Sequence, residues 1–287
     1  MLQESLNIRN FTSHDIKKAM ELVLAERWNQ TDTEWHILMG NPQNVCLVAE
    51  VENELVGTAT AINYNNKVAW IGMVLVSKNF RGQGISKKLL SNLLEQLTFC
   101  KCIKLDATPA GQPVYKKMGF EDEYLINRMT CLSFSKYYLV NGDIMSQGVQ
   151  KEDIPAIVDL DKNTFGADRS QLIKALIFNN PEKCFVIKDK DRISGFALGR
   201  KGNRFHHIGP VVASSVFDAI QLILHALNEL RGQSVVIDIL KDKNELYLEL
   251  LSLGFEKQRN FSRMYLHSNL YPGDINHQYL ICGPEFG

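Results

Sequence analysis

The stretch VLVSKNFRGQGISKKLL, residues 74–90, sets Arg81, Gly82, Gln83 and Gly84 between an apolar strand and the start of a helix. Lys87 and Lys88 follow in the first helical turn, where the helix dipole already presents partial positive charge. Backbone N–H groups with no Cβ in the way, backed by cations, form a seat for an anion such as a phosphate. The turn lacks the Gly-x-x-x-x-Gly-Lys-Ser/Thr pattern of a mononucleotide loop. A dinucleotide turn would need a third glycine where Lys87 stands, and an acid about 20 residues on. Asp106 could supply that acid, but the strands before the turn read as antiparallel. A turn that binds nothing would leave Arg81, Lys87 and Lys88 crowding a positive helix end.

The elements that position this turn recur. YKKMGFEDEYLINRMTCL closes one half of the chain and YLELLSLGFEKQRNFSRMYL the other, so Gly119-Phe120 matches Gly254-Phe255 and Arg128-Met129 matches Arg263-Met264. Upstream, LVAEVENELVGTAT and FVIKDKDRISGFAL each read as a hairpin with a charged turn. The offset of about 130 to 140 residues suits a duplicated domain rather than a solenoid. The boundaries expected are 1–134 and 140–287, with residues near 134 to 142 as the crossing. Each half reads as helix, antiparallel strands, a longer strand, helix, strand, helix and strand, which is an α/β class with a mixed sheet. Ile16, Met20, Val23 and Leu24 share one face of the first helix. Ile85, Leu89, Leu90, Leu93, Leu94 and Leu97 form a stripe that must lie on a sheet.

The 287 residues suffice for two domains, and 45% hydrophobic with 22% charged residues describes a globular protein with a real core. Lys plus Arg equals Asp plus Glu at 32 each, so no overall field favours nucleic acid or acidic membranes. The N-terminal MLQESLNIRN lacks a basic region followed by an apolar run, so no signal peptide is expected, and apolar runs fall short of the roughly 20 residues of a membrane span. A cytoplasmic protein is expected. The six cysteines and seven histidines show no metal-ligand spacing, so no metal site is expected.

Arg81-x-x-Gly84-x-Ser86 resembles the Arg/Gln-x-x-Gly-x-Gly/Ala signature of the GNAT acyltransferase superfamily. Val74-x-Val76 stands where that family's splayed fourth strand lines pantetheine, and PVYKKMGF resembles its LYxxxGF ending. These motifs fall in the family's order over about 60 residues. The chain departs from the pattern at Ser86, at Lys78, where proline is frequent, and at Thr108, where asparagine is common.

The resemblance implies tandem GNAT-type domains, each a mixed, mostly antiparallel sheet flanked by helices. It implies acetyl-CoA as co-substrate, bound by Val74, Leu75, Val76, Arg81, Gly82, Gln83, Gly84, Ile85, Ser86 and Thr108. Acetyl would pass directly to a small-molecule or peptide amine, with backbone N–H groups near 73–75 facing the thioester carbonyl. Tyr115 would protonate the leaving thiolate; a core tyrosine is the alternative. Glu26, Trp28, Asn29 and Asp32, in the loop expected after the first helix, are candidates for acceptor contact. Asp106 repeats as Asp238, which favours a structural role for both. Of His206 and His207, strand alternation lets only one face a pocket. A monomer or homodimer is expected, and a non-catalytic acyl-CoA sensor is the competing class.

One site per chain is expected. The second half resembles a degenerate GNAT domain, and its matching helix begins Ser215-Val216-Phe217-Asp218, with no glycine or cation before it. That spacing caps the free N–H groups with the helix's own side chains. Leu250 occupies the position matching Tyr115, and Tyr247 is out of register.

Overall fold

A computed structural model describes residues 6–135, 146–190 and 192–287. Most of the expected crossing near 134 to 142 lies outside the described residues. The first half runs β1 (Leu6–Asn10), α1 (Ile16–Ala25), α2 (Asp32–Met39), β2 (Val45–Val51), β3 (Glu54–Tyr64) and β4 (Val68–Val76), then α3 (Ile85–Glu95), β5 (Cys102–Ala107), α4 (Gln112–Lys117) and β6 (Glu121–Cys131). The second half repeats it with β7 (Ser146–Gly148), α5 (Ile154–Phe165), α6 (Ser170–Asn179), β8 (Phe185–Asp189), β9 (Arg192–Lys201), β10 (His206–Ala213), α7 (Val216–Glu229), β11 (Val235–Leu240), α8 (Asn244–Ser252) and β12 (Glu256–Leu266). One strand has no counterpart in the first half: β13 (Gln278–Leu280).

Local sequence explains most elements. The β2–β3 hairpin turns on Glu52 and Asn53, both with positive φ, which matches the twist of paired strands. Along α3, Ile85, Leu89, Leu90 and Leu93 are buried against β3, as the leucine stripe requires. On α1, however, Leu24 is 57% exposed, while Ala19 and Val23 are fully buried. The buried face of α1 is thus centred on the smaller Ala19, and Leu24 falls outside it. The segment holding Asp32 is not a loop. Thr31 caps α2 and accepts from Thr33, while Glu34 reaches back to the Thr31 N–H at 2.7 Å.

All the strands join one continuous sheet in the order β1-β2-β3-β4-β5-β12-β6-β11-β13-β10-β9-β8-β7. The closing strand of each half has crossed to the other. β12 pairs with β5, β6 pairs with β11, and the two exchanged strands pair with each other in the middle. Reciprocal ion pairs pin the exchange. Arg263 of β12 grips Asp106 of β5 through Nε and Nη2 at 2.8 and 2.9 Å. Arg128 of β6 grips Asp238 of β11 at 2.8 and 2.7 Å. In both ladders the paired residues stand directly opposite each other, so a slip of one residue would part both pairs. Each pair is buried, and removal of one partner would strand an uncompensated charge. The repeated aspartates are therefore structural, as their duplication suggested.

Candidate active site

β4 and β5 run parallel and are hydrogen-bonded only from Val68↔Cys102 to Ile71↔Leu105. Beyond Ile71 they part. The cause lies in β4 itself, which carries a bulge between its pairings to Thr60 and Thr58, with Met73 at a φ of 51°. β3 holds the bulge in place: Thr58 Oγ1 donates to the Met73 carbonyl at 2.7 Å and Thr60 Oγ1 to the Gly72 carbonyl at 3.0 Å. Past Ile71 the edge of β4 that faced β5 has no strand beside it.

The opening is a cleft of about 740 Å³. At one end lies the start of α3. Gly84 is the N-cap, left-handed at φ 79°, and no side chain caps the helix. A Cβ built on Gly82 or Gly84 would meet nothing within 4 Å, so the N–H groups of the first turn face open space. Arg81 is oriented rather than loose: its Nε donates to the Val76 carbonyl at 3.1 Å and its Nη2 pairs with Glu26 at 2.6 Å.

Tyr115, on α4, lines the same cleft, with its ring edge-on to Phe120. Burial pushes its phenol above the ordinary tyrosine value. Such a group stays protonated at neutral pH and can donate.

The cleft brings together Val74, Leu75, Val76, Arg81, Gly82, Gly84, Ile85, Ser86, Thr108 and Tyr115. Gln83 sits in the turn and is exposed, but does not line the cleft. Of the acceptor candidates, Glu26 and Trp28 line the cleft, and Glu26 is held by Arg81. Asn29 does not line it. Its Oδ1 accepts from the N–H groups of Arg204 and Phe205 at 3.0 and 2.9 Å, which fastens the β9–β10 turn to the first half. Asp32 is exposed in the first turn of α2.

The far wall is built by both halves. Arg128, Arg259 and Phe261 come from the exchanged strands, and Pro284 and Glu285 from the segment after β13. That segment lies hard against β4. A Cβ on Gly72 would come within 2.9 Å of the Glu285 Cα, and Trp70 Nε1 donates to the Pro284 carbonyl at 3.0 Å. Glu285 accepts from Gln30 Nε2 at 2.8 Å and pairs with Arg200. Arg200 also reaches Glu34 and His207, and His207 reaches Asp238. This buried network ties the wall to the centre of the sheet. His207 is the inward member of the histidine pair and is spent on structure.

Among the described residues the matching gap in the second half is filled. β10 and β11 also pair only at their start, from His206↔Val235 to Ile208↔Ile237, but β13 then fills the gap and bonds to both. The start of α7 is closed as well: Ser215 Oγ accepts from the Asp218 N–H at 3.1 Å, and Ser214 Oγ donates to the Asp218 carboxylate at 2.7 Å.

Among the described residues no three His, Cys, Asp or Glu side chains group to hold a metal ion, and no helix is long and apolar enough to cross a membrane.

Comparison with known proteins gives one answer for both halves. Residues 11–120 match the model of the acetyltransferase (GNAT) family, and residues 157–280 that of an acetyltransferase (GNAT) domain. The chain is 28% identical over 188 residues to YitH of Bacillus subtilis, described as an uncharacterised N-acetyltransferase; the match covers 65% of this chain and 66% of YitH, just under two thirds. It is 23% identical over 246 residues to the holothin acyltransferase of a Pseudoalteromonas species, covering 85% of this chain and 82% of that one. A crystal structure of a putative acetyltransferase from Pyrococcus horikoshii superposes with a TM-score of 0.81 at 26% identity, covering 99% of this chain and 96% of that one.

Proposed function

Because this chain belongs to the GNAT acyltransferases, with one domain of that family in each half, we propose that its first half transfers acetyl from acetyl-CoA directly to a primary amine. The observation that carries this reading is the contrast between the halves. The uncapped start of α3 opens on a parted strand pair with Tyr115 on its rim, while the matching helix start and gap in the second half are filled by the protein itself.

The residues fit the co-substrate. The glycine turn and the first-turn N–H groups suit a pyrophosphate, and nothing but space stands over Gly82 and Gly84. Val74, Leu75 and Val76 offer an unpaired strand edge along which an extended amide-bearing arm can lie. Acetyl-CoA supplies an activated thioester. By the family resemblance a backbone N–H near residues 73–75 faces the thioester carbonyl, and the bulge fixes that stretch of backbone before any ligand arrives. Preorganised donors of that kind stabilise negative charge as it develops on a carbonyl oxygen. Tyr115 keeps its proton through neutral pH and delivers it to the departing sulfur.

Release of free CoA thiol across a panel of amines tests the reading. Tyr115→Phe should lower turnover by about 10²-fold and leave acetyl-CoA binding nearly unchanged, since only a proton transfer is removed. Full turnover in the variant would return Tyr115 to a packing role. A protein that binds acetyl-CoA but releases no thiol with any amine would instead be a sensor.

A further inference from the structure

The charged side chains that line the cleft are, with one exception, matched. Glu26 pairs with Arg81, Asp106 with Arg263, Arg128 with Asp238 and Glu285 with Arg200. Arg259 has no carboxylate partner among the described residues, and its buried Nε makes no hydrogen bond. Its guanidinium lies over the ring of Phe261, 5.3 Å away, and Arg128 lies over the same ring at 4.9 Å. Arg259 also stands directly across the ladder from Arg128. Like charges placed opposite each other on neighbouring strands destabilise a sheet, and an unsatisfied buried donor adds a desolvation cost. Burial, followed by the charge of Arg128, lowers the guanidinium to about 10. A fold that keeps such a group against its own stability places it where a ligand completes it. A guanidinium fork is shaped to grip an oxyanion in bidentate fashion.

We propose that Arg259 anchors an acid group on the acceptor, so that the amine acetylated here also carries a carboxylate or a phosphate-type oxyanion. This rests on the transfer reading for the word acceptor; the anion seat itself can be measured separately. Glu285 and Asp106 do not oppose it, because Arg200 and Arg263 already neutralise them. Lysine would keep the charge but lose the fork, so Arg259→Lys should give a partial effect. Methionine matches the stem, removes the charge and leaves no donor unsatisfied.

The test uses three probes of similar length: propylamine, β-alanine and 2-aminoethylphosphonate. Their binding to the CoA-saturated protein is measured by calorimetry, beside thiol release with acetyl-CoA. The acid-bearing probes should bind 10-fold to 10²-fold more tightly than propylamine, as expected for a charge-assisted hydrogen bond. Arg259→Met should erase that gap and leave the melting temperature unchanged or raised, because an unmatched cation has been removed. A gap that survives in Arg259→Met, or no gap in the wild type, would overturn the proposal. A lowered melting temperature with an unchanged gap would make Arg259 structural. No thiol release from any probe, with the calorimetric gap intact, would count against the transfer reading and for the anion seat. Thiol release with equal binding of all three would do the reverse. The two acid probes separate a carboxylate from a phosphate-type group.

Discussion

Acidification from pH 6.5 to 4 should destabilise this protein through His207. Its Nδ1 lies 2.7 Å from an Arg200 nitrogen and its Nε2 3.2 Å from Asp238. Arginine has only donors, so Nδ1 accepts, and the single ring proton sits on Nε2 and is donated to Asp238. A second proton would have to face a guanidinium inside the sheet. Burial, then the Arg200 charge, lowers the imidazole from 6.5 to about 4. Above pH 6.5 the folded and unfolded chains are both neutral at this residue, and its contribution is fully present. Between 6.5 and 4 only the unfolded chain takes up the proton, so stability is lost as the pH falls. Each pH unit in that window costs about 1.4 kcal/mol, which comes to about 3 kcal/mol by pH 4. Asp238 and Asp15 are held below the usual carboxylate range, so most of their loss falls below about pH 4. His206 and His225 are lowered as well, chiefly by burial. The comparison is therefore with His207→Gln, which keeps one donor and one acceptor. Urea unfolding at pH 7.5, 6.5, 5.5 and 4.5 should show the variant losing about 2 to 3 kcal/mol less than the wild type over the acid range. Parallel pH profiles would refute the neutral, Nε2-protonated assignment.

Four further outcomes are expected. Gly84→Glu puts a side chain and a negative charge where the α3 N–H groups point; it should abolish the stabilisation of about 2.7 kcal/mol given by acetyl-CoA at 100 times its Kd. Calorimetric stoichiometry should be near one in the wild type and zero in that variant, and a value near two would show that the second half kept a site. Asp238→Ala leaves Arg128 buried without its partner and should cost 3–5 kcal/mol in denaturant unfolding, with Asp106→Ala similar through Arg263; a loss below about 1 kcal/mol would show that the pairs do not pin the exchange. Residues 1–135 produced alone should not unfold cooperatively, since β5 and β6 would face an empty place, and mixing with residues 146–287 should restore a cooperative transition.

The glycine-turn end of the candidate site was legible because its chemistry is local. Glycines, cations and a helix stripe within residues 74–97 say where a strand ends, where N–H groups are open and which face is buried. α2 carried a readable signal in Thr31 and Glu34, a capping box outweighed by the polar run around it. The exchange of β6 and β12 was not legible. Both strands end in the same Arg-Met pattern and both partner strands carry the same aspartate, so either pairing satisfies period-two burial and charge. Only the geometry of the whole sheet chooses. The wall made by Arg128, Arg259, Phe261 and Glu285 followed from that choice and was hidden with it. β13 is three residues long, too short for any periodicity to declare.

The place of β12 between β5 and β6 has a consequence for synthesis. When Cys131 leaves the ribosome, every strand of the first half has been made, yet its sheet still lacks the neighbour that β5 and β6 share. That neighbour ends at Leu266, so at 5–20 residues per second the nascent half waits roughly 7 to 27 seconds. Two strand edges rich in unpaired amides stay exposed through that interval, the condition under which one chain joins another. Slow translation and crowded polysomes should therefore lower the yield of this protein more than that of a domain that completes its own sheet.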